Sequence, residues 1–266
     1  MEREKLVALI RERQSYLCVG LDTDLYKMPH HLRGNAAAIF DFNKAIIDAT
    51  RAVCVSYKIN TAFYEALGVK GWEAMEKTVH YIGNEHFKIA DAKRGDIGNT
   101  SRQYARAFFE NLPFDAITVA PYMGEDSIKP FLEYKDKWTI VLGLTSNKGA
   151  QDFELQKCGN ELLYEKVIQK VSAWGTHHNL MFVVGATQAD EFTHIRELIP
   201  DHFLLVPGVG AQGGSLKEVS EKAMNADCGL LVNASRAIIY ASDGEDFEAA
   251  AGGVAGEYQK EMAVYL

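Results

Sequence analysis

The sequence lacks any long apolar run. No stretch of its 266 residues approaches the roughly 18 apolar residues that a membrane-spanning helix requires. It also lacks a basic block, and its formal net charge of −8 argues against a general nucleic-acid binder. The first residues carry charges on both sides of a short apolar stripe, which predicts a helix and not a signal peptide. We therefore expect neither a membrane nor a nucleic acid as a partner.

Cysteine is scarce as well, and no two cysteines form a CxxC pair. The four cysteines lie far apart along the chain, at Cys18, Cys54, Cys158 and Cys228. Scattered thiols of this kind are typical of a reduced compartment and unlike a disulfide framework or a zinc site. This spacing predicts inert, reduced thiols in a cytoplasmic protein.

Motifs for metal binding and for a serine nucleophile are missing too. The eight histidines form neither an HxxxH nor an HxH pair, so the sequence offers no histidines at metal-ligand spacing. No GxSxG segment is present, which argues against a nucleophile elbow. We therefore expect no metal site and no nucleophilic serine.

What the sequence does contain is a regular alternation of apolar strands and helical patterns. The strands are continuous apolar runs, as expected when a parallel sheet is covered on both faces. They are predicted at 16–21, 55–59, 87–91, 116–120, 138–144, 180–184, 203–206 and 229–232. The helices are predicted at 36–52, 71–82, 101–110, 127–134, 160–174, 188–198, 215–225 and from residue 246. This alternation predicts a (β/α)₈ (TIM) barrel forming a single domain over residues 1–266, with a doubly wound open sheet as the alternative.

Polar residues follow the predicted strands, at the end where a barrel places its active site. These residues are Asp22, Lys58, Asp91, Lys93, Thr145, Ser146, the glycine loop at 208–214, and Ser235 with Arg236. A random surface would not place charged groups so regularly at strand ends. The pattern therefore predicts a functional site at the carboxyl ends of the strands.

The stretch ADAKRGDIGNTS, residues 90–101, joins the third strand to the next helix. Residues two apart on an extended chain face the same side, so Asp91 and Lys93 should project together. One of the polar residues at 99–101 is expected to cap the helix.

Lys58, Asp91, Lys93 and Asp96 suggest a set of alternating charges in which two ammonium groups offset two carboxylates. A substrate carboxylate beside Asp91 would be repelled, and its loss as carbon dioxide would relieve that repulsion. Lys93 would then protonate the carbanion as a general acid.

The loop PGVGAQGG, residues 207–214, satisfies GxGxxG through Gly208, Gly210 and Gly213. A dinucleotide site is one interpretation, with Asp227 at the spacing of the ribose-binding acid. A single phosphate is favoured, because in barrels the loops after the seventh and eighth strands commonly bind phosphate.

For such a phosphate, Arg236 would supply a bidentate cation and Gln212 a neutral donor. Asp22 and Thr100 would suit sugar hydroxyls.

Together these segments resemble the orotidine 5′-phosphate decarboxylase family, in particular its longer bacterial type. The matching segments are VGLDTD (19–24), YKIN (57–60), AFYEALG (62–68), ADAKRGDIGNTS (90–101), APYMGEDS (120–127), LTSN (144–147), VVGAT (183–187), PGVGAQGG (207–214) and SRAIIY (235–240). The resemblance implies a (β/α)₈ homodimer that needs no cofactor. It also implies the conversion of orotidine 5′-monophosphate to UMP, the last step of de novo pyrimidine synthesis.

By the same resemblance, Lys58, Asp91, Lys93 and Asp96 correspond to a charged tetrad in which Lys93 is the proton donor. Asp96 would reach into the active site of the partner subunit.

The remaining correspondences are substrate contacts. Asp22 and, from across the interface, Thr100 match ribose ligands, and Ile97 matches a residue lining the base pocket. Ser146 matches the serine that contacts the pyrimidine. The phosphate-binding positions are Gln212, Gly213 and Arg236.

One segment departs from the family pattern, and two alternative functions stay open. Where the family has SNPG, this chain has Ser146-Asn147-Lys148-Gly149, and loss of the proline is expected to loosen the loop. A metal-dependent sugar-phosphate decarboxylase or aldolase of the same barrel superfamily would need an acidic ligand near Lys58. A non-enzymatic phosphoribosyl-ligand binder would need the phosphate loop but not the charged tetrad.

Overall fold

A computed structural model describes residues 1–210 and 213–266 of the chain. Eight parallel strands form a closed barrel, in which each strand pairs with its neighbours in sequence and the last pairs with the first. The strands are β1 (Leu17–Gly20), β2 (Ser56–Asn60), β3 (Phe87–Arg94), β4 (Ala116–Val119), β5 (Trp138–Leu144), β6 (Leu180–Val184), β7 (Phe203–Pro207) and β8 (Leu230–Ala234). The predicted barrel is confirmed, and the open sheet is wrong.

Helices cover the outside of the barrel. They are α1 (Arg3–Arg13), α2 (Ile39–Thr50), α3 (Thr61–Glu65), α4 (Val69–Ile82), α5 (Gly98–Arg106), α6 (Glu125–Leu132), α7 (Leu163–Ser172), α8 (Phe192–Leu198), α9 (Leu216–Ala223), α10 (Arg236–Ile239) and α11 (Phe247–Met262). The strands are buried almost throughout, which explains why they read as continuous apolar runs. No helix in the two described stretches combines the length and the apolar character that crossing a membrane requires.

Helix α1 lies across the amino-terminal end of the barrel. The Arg3 guanidinium pairs with Asp227 at 3.1 Å and lies over the ring of Phe203, 5.0 Å from its centroid. Trp138, at the start of β5, donates its indole N–H to the Met1 carbonyl at 2.8 Å. This end of the barrel is therefore closed by packing and ion pairs, and the opposite end is left for the site.

Several predicted boundaries are wrong, each for a local reason. The helix predicted from residue 160 begins at Leu163, because Lys157–Cys158 and Glu161–Leu162 form a two-stranded hairpin. The helix predicted from residue 101 begins at Gly98, and no side chain caps it. Ser101 instead lies in the first turn, where its hydroxyl donates to the Asp96 carbonyl at 2.6 Å.

The cysteines are free thiols in different settings. Cys18, Cys54 and Cys228 are buried, whereas Cys158 lies half-buried in the hairpin. Burial raises the pKa of Cys18 and of Cys228 to about 12, so these thiols stay protonated at neutral pH. This agrees with the prediction of inert thiols at these positions.

Candidate active site

A cluster of three charged side chains lies at the carboxyl ends of β2 and β3. The Lys58 ammonium lies 2.8 Å from Asp91 Oδ2, and the Lys93 ammonium lies 2.5 Å from Asp91 Oδ1. The Lys58 ammonium also lies 3.3 Å from Asp22 Oδ1. The strand ends thus bring together Asp22, Lys58, Asp91 and Lys93, as the barrel predicted, and Asp91 lies between two cations.

The charges of this cluster are maintained although its centre is dry. Lys58 is 3% exposed and Asp91 8% exposed, whereas the side chain of Lys93 is half exposed. Burial alone would raise the pKa of Asp91, but the nearby charges of Lys58 and Lys93 outweigh it and hold that pKa well below its usual range. Burial would lower the pKa of Lys58, but Asp22 and Asp91 outweigh it and raise that pKa. Asp91 and Lys58 are therefore both ionised at neutral pH.

The hydroxyl of Thr118, on β4, joins this cluster. It donates to Asp91 Oδ1 at 3.0 Å and accepts the Lys93 backbone N–H at 2.9 Å. The Lys93 backbone is left-handed, with φ of 46°. Sequence analysis missed Thr118, since a threonine in the apolar segment AITVA is typical of any buried strand.

The segment carrying Asp22 is held by the hydroxyls of two tyrosines, one buried and one half-buried. The Tyr64 hydroxyl donates to the Leu21 carbonyl at 3.0 Å. The Tyr240 hydroxyl donates to the Asp22 carbonyl at 3.1 Å and accepts the Asp24 N–H at 2.7 Å. The position of Asp22 is therefore fixed from both α3 and the end of α10.

Asp96 lies apart from the other three members of the predicted tetrad. Its Oδ1 accepts the Ile97 N–H at 2.7 Å, and within the described parts of the chain it makes no ion pair. Ile97 is 63% exposed, and Thr100 on the first turn of α5 is also exposed. One chain thus assembles three of the four charged residues, and the assignment of Asp96, Ile97 and Thr100 to a shared site stays a prediction.

Two side chains hold Thr145 at the start of the loop after β5. Glu154 accepts the Thr145 backbone N–H at 2.7 Å and its hydroxyl at 2.9 Å. Gln188 donates to the Thr145 carbonyl at 2.9 Å. The neighbouring Ser146 packs so closely on Gly185 that a Cβ added there would lie 2.6 Å from the Ser146 Cβ. Sequence analysis did not identify Glu154 or Gln188 as the anchors.

The glycine loop after β7 uses positive φ angles that favour glycine. Gly208, Gly210 and Gly213 have φ of 99°, 73° and 86°. The Gly210 N–H donates to the Gly214 carbonyl at 3.0 Å, which folds the loop back on itself. A Cβ added at Gly214 would lie 2.3 Å from the Ala186 Cβ, so the loop approaches the end of β6 closely.

The other predicted phosphate ligands are only partly described. Arg236 is exposed and begins α10. Gln212 lies outside the described residues. Asp227, the acid that a dinucleotide site would need, pairs with Arg3 at the amino-terminal end of the barrel. It is therefore on the wrong side for the glycine loop, and the dinucleotide interpretation is not supported.

A further ion pair supports the end of β3. Arg94 pairs with Glu65 of α3, and its guanidinium lies 5.3 Å from the centroid of the Tyr104 ring. Among the described residues, no three His, Cys, Asp or Glu side chains are grouped so that they could hold a metal ion.

A closed parallel barrel with its charged cluster at the carboxyl ends of the strands belongs to the class of (β/α)₈-barrel enzymes. The chain belongs to the orotidine 5′-phosphate decarboxylase / HUMPS family, whose family model matches residues 15–250. The sequence-based resemblance is confirmed.

Individual relatives match over the full length. An orotidine 5′-phosphate decarboxylase of Bacteroides fragilis is 57% identical over 270 residues, covering 100% of this chain and 98% of that protein. One of Phocaeicola vulgatus is 58% identical, covering 98% of each. The solved structure of Leishmania donovani OMP decarboxylase is 35% identical, with a TM-score of 0.85 and 100% of both chains covered.

Proposed function

We propose that this chain decarboxylates orotidine 5′-monophosphate to UMP and carbon dioxide. The observation that carries the proposal is the Asp91 carboxylate, kept ionised between the Lys58 and Lys93 ammonium groups. Family membership and the names of the relatives at 57% and 58% identity support the same reaction. A phosphoribosyl-ligand binder would have no use for a buried charged cluster.

In the proposed reaction, the substrate carboxylate lies beside Asp91 and is destabilised by the like charge. The bond between C6 and the carboxylate breaks, carbon dioxide leaves, and the electron pair remains on C6. The Lys93 ammonium then gives its proton to C6 and regains one from solvent. Lys93 suits this role because it is half exposed on the open side of the cluster, whereas Lys58 is enclosed.

The remaining substrate contacts would come from residues that lie just after the carboxyl ends of the strands. Asp22 would bind the ribose, and Ser146 the pyrimidine. The phosphate would be bound by the glycine loop through Gly213 and Gln212, and by Arg236. The close packing of the glycine loop on the end of β6 supports a preformed anion site. We propose that the reaction uses no metal or organic cofactor, because the charged cluster supplies both the repulsion and the proton.

We further propose a cytoplasmic homodimer with a shared active site. Ile97 is 63% exposed and Tyr122 is 90% exposed. Met123, itself 45% exposed, would lie 3.8 Å from a Cβ added at Gly95 in the loop that carries Asp96. A second copy covering this apolar surface would receive Asp96, Ile97 and Thr100 beside its own substrate.

An ultraviolet assay tests the proposal. The purified protein is mixed with orotidine 5′-monophosphate after exhaustive chelation and dialysis, and the absorbance change to UMP is followed. We expect full activity without added metal. Binding without turnover would favour the ligand-binder alternative, and activity restored only by magnesium would favour the metal-dependent alternative.

A further inference from the structure

We propose that Thr118 is a positioning residue for decarboxylation. Its buried hydroxyl hydrogen-bonds to both the Asp91 carboxylate and the Lys93 backbone N–H and so fixes their relative positions. This inference rests on the proposed function above. Thr118 lies on β4 and is not expected to touch the substrate, but its hydroxyl fixes the position of the proton donor.

The need for such a residue arises from an irregularity between β3 and β4. Ala90 pairs with Ile117, and Arg94 pairs with Val119. Three residues of β3, at 91–93, therefore lie opposite the single residue Thr118. A bulge of this kind removes ladder hydrogen bonds and re-aims side chains. Here it turns two residues, Asp91 and Lys93, toward the same point.

The Thr118 hydroxyl replaces the hydrogen bonding that the bulge interrupts. A hydroxyl can donate once and accept through two lone pairs. This one donates to Asp91 Oδ1 at 3.0 Å and accepts the Lys93 N–H at 2.9 Å. Because Thr118 is fully buried, no solvent molecule reaches these groups from its side. A valine of the same shape would leave the Lys93 N–H without this acceptor and Asp91 without this donor.

The consequence for catalysis lies in the backbone of Lys93. A left-handed conformation is unfavourable for lysine, so it persists only where surrounding contacts hold it. With the hydroxyl removed, we expect residues 91–93 to relax and the Lys93 ammonium to leave its place beside Asp91 Oδ1. The proton would then be delivered less often, although the substrate would still bind.

A matched control lies on the next strand. Thr139 of β5 is also fully buried, but among the described residues its hydroxyl has no hydrogen-bond partner. Thr139→Val therefore makes the same change of atoms in the same barrel without breaking a contact to the cluster.

The test compares Thr118→Val, Thr118→Ser and Thr139→Val as full-length proteins, after wild-type turnover has been measured. Thr118→Val should lower kcat about 10- to 100-fold, the loss expected when a hydrogen bond to a charged group is removed. UMP affinity should change less than about threefold. Thr118→Ser, which keeps the hydroxyl, should restore kcat to within about threefold of wild type, and Thr139→Val should leave kcat unchanged.

The outcomes distinguish failure of the proposed function from failure of the positioning role of Thr118. An inactive wild type would overturn the proposed function itself. With an active wild type, an unchanged kcat in Thr118→Val would overturn the positioning role alone. A Thr118→Val protein that loses kcat, UMP affinity and melting temperature together would show a general structural role and would also overturn the inference.

Discussion

The Lys58 ammonium lies 2.8 Å from Asp91 Oδ2, and both residues are more than nine-tenths buried. Each charge of such a pair depends on the other, because removing one partner leaves the other charged in a dry environment. Loss of one partner of the pair should therefore destabilise the barrel, in addition to any effect on the proposed reaction.

Replacing Lys58 with alanine should lower the free energy of unfolding by about 3 kcal/mol, the lower end for a broken buried pair, because Asp91 keeps Lys93. Urea denaturation measures the change. Lys44→Ala, which breaks the exposed pair with Asp48, is the control and should stay close to wild type. Equal stability of both variants would show that the Lys58 pair contributes no more than a surface pair.

Lys93→Ala should abolish product formation and leave UMP binding largely intact, because the ammonium acts in the transition state. Product formation is followed by ultraviolet absorbance and UMP binding by calorimetry. Near wild-type decarboxylation by this variant would place the proton donor elsewhere.

Arg236→Ala should lower kcat/KM by an amount equivalent to about 2–5 kcal/mol, since a charge-assisted contact to a desolvated phosphate is lost. A fall in kcat is also expected where phosphate binding energy assists loop closure. Arg11→Ala, at the opposite end of the barrel, is the matched control. If both variants keep wild-type kcat/KM, Arg236 does not bind the phosphate.

Mixing Lys93→Ala and Asp96→Ala subunits tests the shared site. Each homodimer should be nearly inactive. Unfolding and refolding the two together should give about half mixed dimers, each with one site that carries both substitutions and one that carries neither. Activity should therefore recover to about a quarter of wild type. A mixture that contains heterodimers but stays inactive would assign Asp96 to the site of its own chain.

Stability should fall as the pH is lowered from about 6.5 toward 4. Burial lowers the pKa of His86 and of His202 to about 4, so both stay neutral in the folded protein while the unfolded chain takes up protons. The unfolded state binds more protons across this window, and the stabilisation is lost as pH falls through it. His86→Phe should reduce the pH dependence of the free energy of unfolding in urea, because only His202 still contributes, whereas replacement of the exposed His80 should not.

The sequence predicted the barrel and most of the site because both depend on local patterns. Continuous apolar runs identify buried parallel strands, and the residues directly after them must meet at one end of a barrel. Asp22, Lys58, Asp91 and Lys93 were found in this way. Helix starts were less predictable, because Ser101 reaches back to Asp96 instead of capping α5.

The supporting residues could not be predicted because their contacts depend on chain pairing. Thr118 matters only because three residues of β3 lie opposite it, a register that no local pattern reveals. Glu154 anchors Thr145 from nine positions further along the loop, and its partner is set by how the loop folds. Polar residues that act through another residue cannot be recognised from their spacing in the sequence.

The contrast between the buried cysteines and Cys158 has a practical use. A thiol-directed fluorophore should label Cys158 first in the native enzyme, because the other three thiols are buried. Cys158 lies in the hairpin that ends the connection from β5 to α7, on the same loop as Ser146 and Lys148. Emission from that dye would report on the surroundings of this loop as substrate or UMP is added, without introducing a reporter residue.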